Sequence, residues 1–492
     1  MPLNLYEHYD HSGGVNYTDP AEKLRDNELS GTRNTRIDGT ALTERGGQTK
    51  LNSSAVQSGA AVHSLFRFYK DDGSTRYLIG FAGTRMLEMK ASPGNWESSP
   101  TSFSSGTRMD GASINNTFFF GNGADGMKST TAPGGSLTSV SGAPNAKFIE
   151  SSPTANRLFA SGVTASPKTV YYSAQGTGDD WTTANDSGAF DVPFTEGENV
   201  TAIAVMPNGV LAIFSNSSFH TLTGTDPGTF VRREIDPSIG CKAPRSIVPA
   251  RGGIYFLANN NRFYWTNGGP PIPVSRNIDG LLMSGNTGSY TGAVAWAEGT
   301  RYHCGIPFTG SNNNLVVVKD WNVPNNNPQG GWVVDDSIAP ASVAVDDGVN
   351  GQVYTGDYSG FVQQQDVGTT DNGTAVSAYW ERDYTLGEVQ RVKKVKRTRP
   401  RFEESGDYNA TVSVGVDGGS LVTLGTTVDL DPGGAIWGAF TWGAATWGGG
   451  GTYANFRIPV IRRCRSIKIR YSISNPFKYF GQSILYRLKY RK

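Results

Sequence analysis

Short apolar and aromatic runs alternate with turn residues along most of this chain, and their lengths are those of strands. The run 65–69 (LFRFY) is followed by KDDG and then by 77–82 (YLIGFA), which predicts strand, turn, strand. The same pattern recurs at 203–206 and 210–214 around Asn208-Gly209, and at 253–257 and 262–265 around three asparagines. Further groups lie at 115–121, 156–173, 294–319 and 343–362. The groups repeat about every 40 to 50 residues, the spacing of propeller blades, and 46–370 has room for roughly six to eight of them. Several β-sandwiches in series compete with this reading and require less even spacing.

Both ends of the chain read differently. Near the start, Asp19, Pro20 and Glu22 have the N-cap, N1 and N3 chemistry of a capping box. They predict a short helix carrying Leu24 and Leu29, stopped by Gly31. Near the end, Ile467, Ile469, Tyr471 and Ile473 alternate with Lys468, Arg470 and Ser472. The run 484–491 alternates likewise, with Arg487, Lys489 and Arg491 outward. These are half-buried antiparallel strands with a basic wet face. With 411–416 and 421–424 they predict a small β-sandwich from about residue 371. Between them stand Trp437, Trp442 and Trp447, each followed by Gly. A period of five fits neither strand nor helix, so these residues form a candidate docking loop, or one buried against its own domain. The expected fold is therefore all-β: an arm with a short helix (1–45), a β-propeller (46–370) and a basic β-sandwich-like domain (371–492).

Composition narrows the class. Of 492 residues 62 are Gly, 37% are hydrophobic, 11% aromatic and 18% charged. That is too apolar for a disordered chain, and Gly has no collagen period. No apolar run is long enough to span a membrane as a helix, and the first residues have no secretory-leader pattern. The net charge of +1 conceals a division. Residues 382–492 hold 19 Lys and Arg against 8 Asp and Glu, a net of +11, leaving −10 for the preceding 381. The densest run, 391–401, contains Arg391, Lys393, Lys394, Lys396, Arg397, Arg399 and Arg401. Such a run can contact phosphates or an acidic protein; a solvated strand face would look the same.

Signs of catalysis are absent from the motifs. There is no GxxxxGK[ST], HExxH, GxSxG or EF-hand loop. Asp179-Asp180 and Asp335-Asp336 are adjacent pairs, which strands turn to opposite faces, so they read as turn residues rather than an acid/base dyad. Cys241, Cys304 and Cys464 are scattered and read as buried thiols. His8 and His11 flank Asp10, but no clustered ligand set accompanies them. No enzyme activity, cofactor or metal is expected.

An ordered set of weak motifs points further. Gly13-Gly14-Val15-Asn16, then Asp26-Asn27-Glu28-Leu29, Arg33-Asn34 and Arg45-Gly46-Gly47 resemble the N-terminal arm of the β-propeller nozzle (hub) proteins of short-tailed bacteriophages. The segments 38–46, 156–159, 170–173 with Trp181, 239–246, 274–279 and 356–360 resemble that family too. The resemblance implies a structural virion protein, about six copies of which form a ring in the tail. That ring would sit below the head-tail adaptor, near tail fibres or tailspikes, and line the path of DNA leaving the head. It would be made in the host cytoplasm. A propeller protein of a long-tailed virion, or a glycan-binding or glycan-cleaving propeller at the tail tip, are the alternatives.

Overall fold

The computed structural model describes residues 3–72, 75–89, 96–104, 107–132, 137–323, 328–346, 351–403, 405–406, 408–430 and 454–489. Trp437, Trp442 and Trp447 lie outside the described residues.

Seven four-stranded antiparallel units follow one another, and they are the blades of a propeller. Blades 1 to 6 span 62–102, 110–139, 148–191, 202–236, 248–273 and 294–335. Blade 7 takes three strands from 342–365 and its fourth, Gln48–Lys50, from near the start of the chain. The anticipated hairpins are among them: Val62–Tyr69 pairs with Arg76–Ala82, and Ala202–Val205 with Leu211–Phe214. Gly209 at φ 82° makes the second turn, a conformation its neighbours would adopt only with strain.

Each junction between consecutive blades has its own apolar filling. Phe81, Phe118 and Phe120 fill the first, Phe119, Ile149 and Leu158 the second, and Phe214 and Phe256 the junction of blades 4 and 5. At blades 6 and 7 the pattern changes. Val316, Val318, Val333 and Val353 there belong to one cluster with Trp380, Phe402, Tyr471 and Tyr479 of the C-terminal strands. Those strands form two sheets over this shared core. One contains Lys393–Phe402, Lys478–Leu488 and Ile458–Cys464; the other contains Ala378–Tyr384, Ile467–Ile473 and Asn409–Val416. The expected alternation holds along Ile467–Ile473, whose odd positions are all buried.

The first 50 residues are woven through these bodies. Asn4–His8 and the hairpin Thr35–Asp38/Ala41–Glu44 join Lys478–Leu488, and Gly31–Arg33 joins Ala378–Tyr384. Gly14–Val15 and Glu28–Leu29 extend blade 6 beyond Trp332–Asp335. Ion pairs hold the crossing. Arg36 makes two 2.9 Å bonds to Asp335, and Arg45 binds both carboxylate oxygens of Asp371. Asn34 Nδ2 donates to Asp336 and to the carbonyl of Ser377. Asp335 is thus a buried ion-pair partner rather than the turn residue expected.

The expected N-terminal helix is a correction. Only one 3-10 turn forms, Ala21–Lys23, with no side-chain cap. Asp19 is taken by tertiary partners instead, accepting from Asn16 Nδ2 at 3.0 Å and pairing with Arg276 at 3.2 Å. Leu29 is a strand residue of the extended blade 6. Among the described residues the α-helical segment is Asp279–Ser284.

His8 and His11 clasp the arm to the C-terminal sheets. Arg382 Nη1 donates to His8 Nε2 at 3.2 Å, so His8 is neutral and its Nδ1 donates to Tyr384. His11 Nδ1 donates to the Thr40 carbonyl at 2.9 Å, and the two rings meet edge to face at 4.6 Å. Burial lowers both pKa values, His8 well below the usual range and His11 to about 4. Among the described residues no group of three potential metal ligands occurs.

Two predictions follow from the weave. Gly14 has φ 67°, and a Cβ there would lie 2.4 Å from the Trp332 carbonyl oxygen. Gly14→Ala should therefore cost more than the ~1–2 kcal/mol of left-handed strain alone. Gly39→Ala, at φ 62° in open space, should cost only that strain; urea denaturation measures the difference. For the histidines, the unfolded rings protonate near pH 6.5 and the folded ones do not, so stability is full above 6.5 and falls as pH drops toward 4. Each contributes up to about 1.4 kcal/mol per pH unit. Glu44 and Glu298, both raised to about 7 by burial, act in the opposite sense. The diagnostic is therefore a difference: His11→Gln should make the pH dependence of the urea midpoint between 4 and 6.5 shallower than in the parent.

Candidate functional site

The basic run 391–401 lies mostly in strand Lys393–Phe402, and alternation divides its seven cations. Lys393 points inward with Val395, Thr398, Pro400 and Phe402. It is wholly buried, and its Nζ donates to the carbonyls of Glu388 (2.5 Å) and Arg465 (2.8 Å). Arg391 is tied to the Lys489 carbonyl and the Glu388 carboxylate. Buried Lys393 is thus a structural cation and no part of a partner surface, whereas Arg391 stays partly exposed. A bulge between Val395 and Arg397 brings both Lys396 and Arg397 to the outside. With Lys394, Arg399 and Arg401 they make the outer face.

Neighbouring strands intensify that face. Lys394 sits in register between Arg463 and Arg487, three cations in a row across three strands. Like charges directly opposite one another destabilise a sheet. Lys396 shows the crowding: Lys394 first, then slight desolvation and Arg487, lower its pKa. Beside this row runs a groove of about 470 Å³ lined by Leu3, Lys396, Arg397, Arg457, Pro459, Ile461, Leu485 and Arg487. Among the described residues no carboxylate lines it. Ile461 is 61% exposed and has φ 40°, an outlying backbone conformation for a β-branched residue. Leu3 and Leu5 add exposed apolar surface.

A second cluster lies on the propeller axis. Arg245, at the entry to blade 5, reaches across to blades 1 and 2. It donates to the His63 carbonyl (2.9 Å), Ser64 Oγ (3.0 Å) and the Met109 carbonyl. Arg108 approaches the Gly292 carbonyl before blade 6 at 3.4 Å. A recess of about 460 Å³ around them is lined also by Asp110, Glu150 and Lys147. It shares Lys147, Phe148, Pro244 and Thr291 with a larger one, about 710 Å³, beside blades 3 to 5. Burial raises Asp110, and burial together with Asp110 raises Glu150 well above the carboxylate range. Burial brings Arg245 down to about 10, with Arg108 adding to the effect. Chemically this is a polar cross-tie of the tunnel, with two carboxyls of raised pKa beside it.

The axial residues carried no motif. The one signal was positional: Phe148 and Glu150 share a face of an inner strand, which puts a lone acid on the axis. Asp179 and Asp180 fall in the connection between two strands of blade 3, with Asp180 accepting from Thr182 N and Asn185, as turn residues do. The three cysteines are buried, with thiols raised to about 12, 12 and 11 by desolvation.

No protein-family model and no curated protein matches this sequence. Solved propellers are similar in fold. YCF48 from Cyanidioschyzon merolae has a TM-score of 0.42 at 12% identity, covering 65% of this chain and 98% of that one. BamB from Moraxella catarrhalis has 0.40 at 10%, covering 65% and 97%. The Neurospora crassa Pan2 WD40 domain has 0.40 at 9%, covering 67% and 97%.

The division of the basic run is testable. Lys393→Met removes the ammonium donor from the Arg465 carbonyl and one of two donors from the Glu388 carbonyl, and should lower stability by about 1–3 kcal/mol. Lys396→Met removes a crowded surface charge and should change it by less than about 0.5 kcal/mol. Thermal and urea unfolding of the two variants side by side measure this.

Proposed function

We propose that this chain is a structural protein of a bacteriophage tail, the ring-forming nozzle or hub subunit below the head-tail adaptor. The observation that carries the reading is where the residues resembling that family lie. Asn16, Glu28, Asn34, Arg45 and Asn277 are the buried polar groups that tie the arm to the propeller and the C-terminal sheets. A signature made of such ties is what a rigid building block retains. The chain then acts by shape and by its surfaces. Its partners are further copies of itself, about six in a ring, together with the adaptor and the tail fibres or tailspikes. Genomic DNA would pass through the lumen between copies, because Arg245 spans each propeller's own axis. Among the described residues no helix is long and apolar enough to cross a membrane.

Electron microscopy of the purified full chain tests the proposal: closed rings of about six copies around an open channel are expected. Particles that stay single at every concentration would overturn it.

A further inference from the structure

The charge division of the sequence becomes an arrangement in space. The basic face belongs to the sheets fused to blades 6 and 7. Blade 3 is three blades from blade 6 in one direction and three from blade 7 in the other, so it lies across the ring from their junction. It also carries a run of carboxylates with no cation near them in sequence. Residues 171–200 contain six Asp and Glu and no Lys or Arg. Asp179, Asp191 and Glu196 are exposed around the outermost strand, Gly188–Asp191. Three cations reach this rim from elsewhere, and each is tied down. Arg157 is buried on Asp186, Lys168 meets the Thr195 carbonyl, and Arg232 donates to the Asp191 carbonyl over the Phe190 ring. Among the described residues no ion pair engages Asp179, Asp191 or Glu196.

We propose that the basic face of one copy docks on the blade 3 rim of a second copy, head to tail; the inference rests on the ring reading and names its interface. Three observations select this occupant. The row Arg463–Lys394–Arg487 is held together against its own repulsion, which an acidic surface relieves. Among the described residues the groove beside it is apolar at Leu3, Pro459, Ile461 and Leu485 and has no aromatic lining, which suits a protein surface better than phosphates or stacked bases. Finally, because the face and the rim are different surfaces, each docking leaves one of each free. That is the heterologous geometry from which a closed ring is built.

The test uses the full chain, light scattering after size exclusion, and two variants. One reverses the face (Lys394→Glu, Lys396→Glu, Arg487→Glu) and the other the rim (Asp179→Lys, Asp191→Lys, Glu196→Lys). All six positions are at the surface, and unchanged thermal unfolding verifies folding. The parent should assemble, and each variant alone should be monomeric, with self-association weakened at least about 100-fold. In an equimolar mixture an intact basic face meets an intact acidic rim, and the reversed face and reversed rim are again opposite in charge, so association beyond the monomer should return. If both variants still assemble like the parent, the interface is wrong and the ring reading stands. If the parent itself is monomeric at every concentration, both fall. A mixture that stays monomeric overturns the interface. So does a face variant that assembles normally but no longer retards a DNA duplex in a gel, which would make the surface a DNA contact.

Discussion

A propeller whose last blade lacks a strand has an open edge, and here the strand that closes it, Gln48–Lys50, lies more than 300 positions from its partner Val362–Gln365. Everything before it must therefore travel past blades 6 and 7 and the C-terminal sheets to reach that place. A chain threaded between packed bodies buries backbone and polar side chains, and each of those needs a partner. Arg36 on Asp335, Arg45 on Asp371 and the two bonds from Asn34 supply them. Removing one member of such a buried pair typically costs about 3–5 kcal/mol. The apolar cluster running from Val316 to Tyr479 makes the same connection with hydrophobic contacts. Closure of the ring and attachment of the basic sheets are thus one event.

What could be read in advance was whatever is local. Alternation along Ile467–Ile473 and the Asn208-Gly209 turn depend on neighbours in sequence, and both appear as anticipated. The arm carries little local signal because its strands are two to five residues long and owe their form to partners hundreds of positions away. Asp19 had the chemistry of a helix cap, yet Asn16 and Arg276 offered it stronger claims. The basic run was recognisable as a strand but not as two populations. Only the carbonyls of Glu388 and Arg465 reveal that Lys393 serves the interior while Lys394 and Lys396 face out.

The axial cluster was the least legible part. Arg245, Asp110 and Glu150 are isolated charges in their local sequence, and they meet only because seven inner strands converge. Raised carboxyl pKa values in a recess are a familiar sign of acid–base chemistry. Here burial raises both carboxyls, and the backbone bonds that Asp110 accepts oppose its rise. Asp110 accepts from the backbone of Ile149 and Gly111, so it anchors blade 2 to blade 3. Arg245 lies close enough to oppose the rise in the Asp110 pKa while spending its hydrogen bonds on blades 1 and 2.

The two sets of cations then divide the work of the molecule. Arg245, Arg157 and Lys393 end on carbonyls inside the fold and stiffen it. Lys394, Arg463 and Arg487 stand side by side, and among the described residues no carboxylate lines the groove beside them. A surface that carries such repulsion lowers the stability of its own sheet, and a rigid body is what allows it to be kept. The bulge that turns Lys396 and Arg397 outward together, and the strained backbone of Ile461 opposite, add to that cost. Strain and like-charge crowding thus gather at one place on an otherwise heavily tied framework.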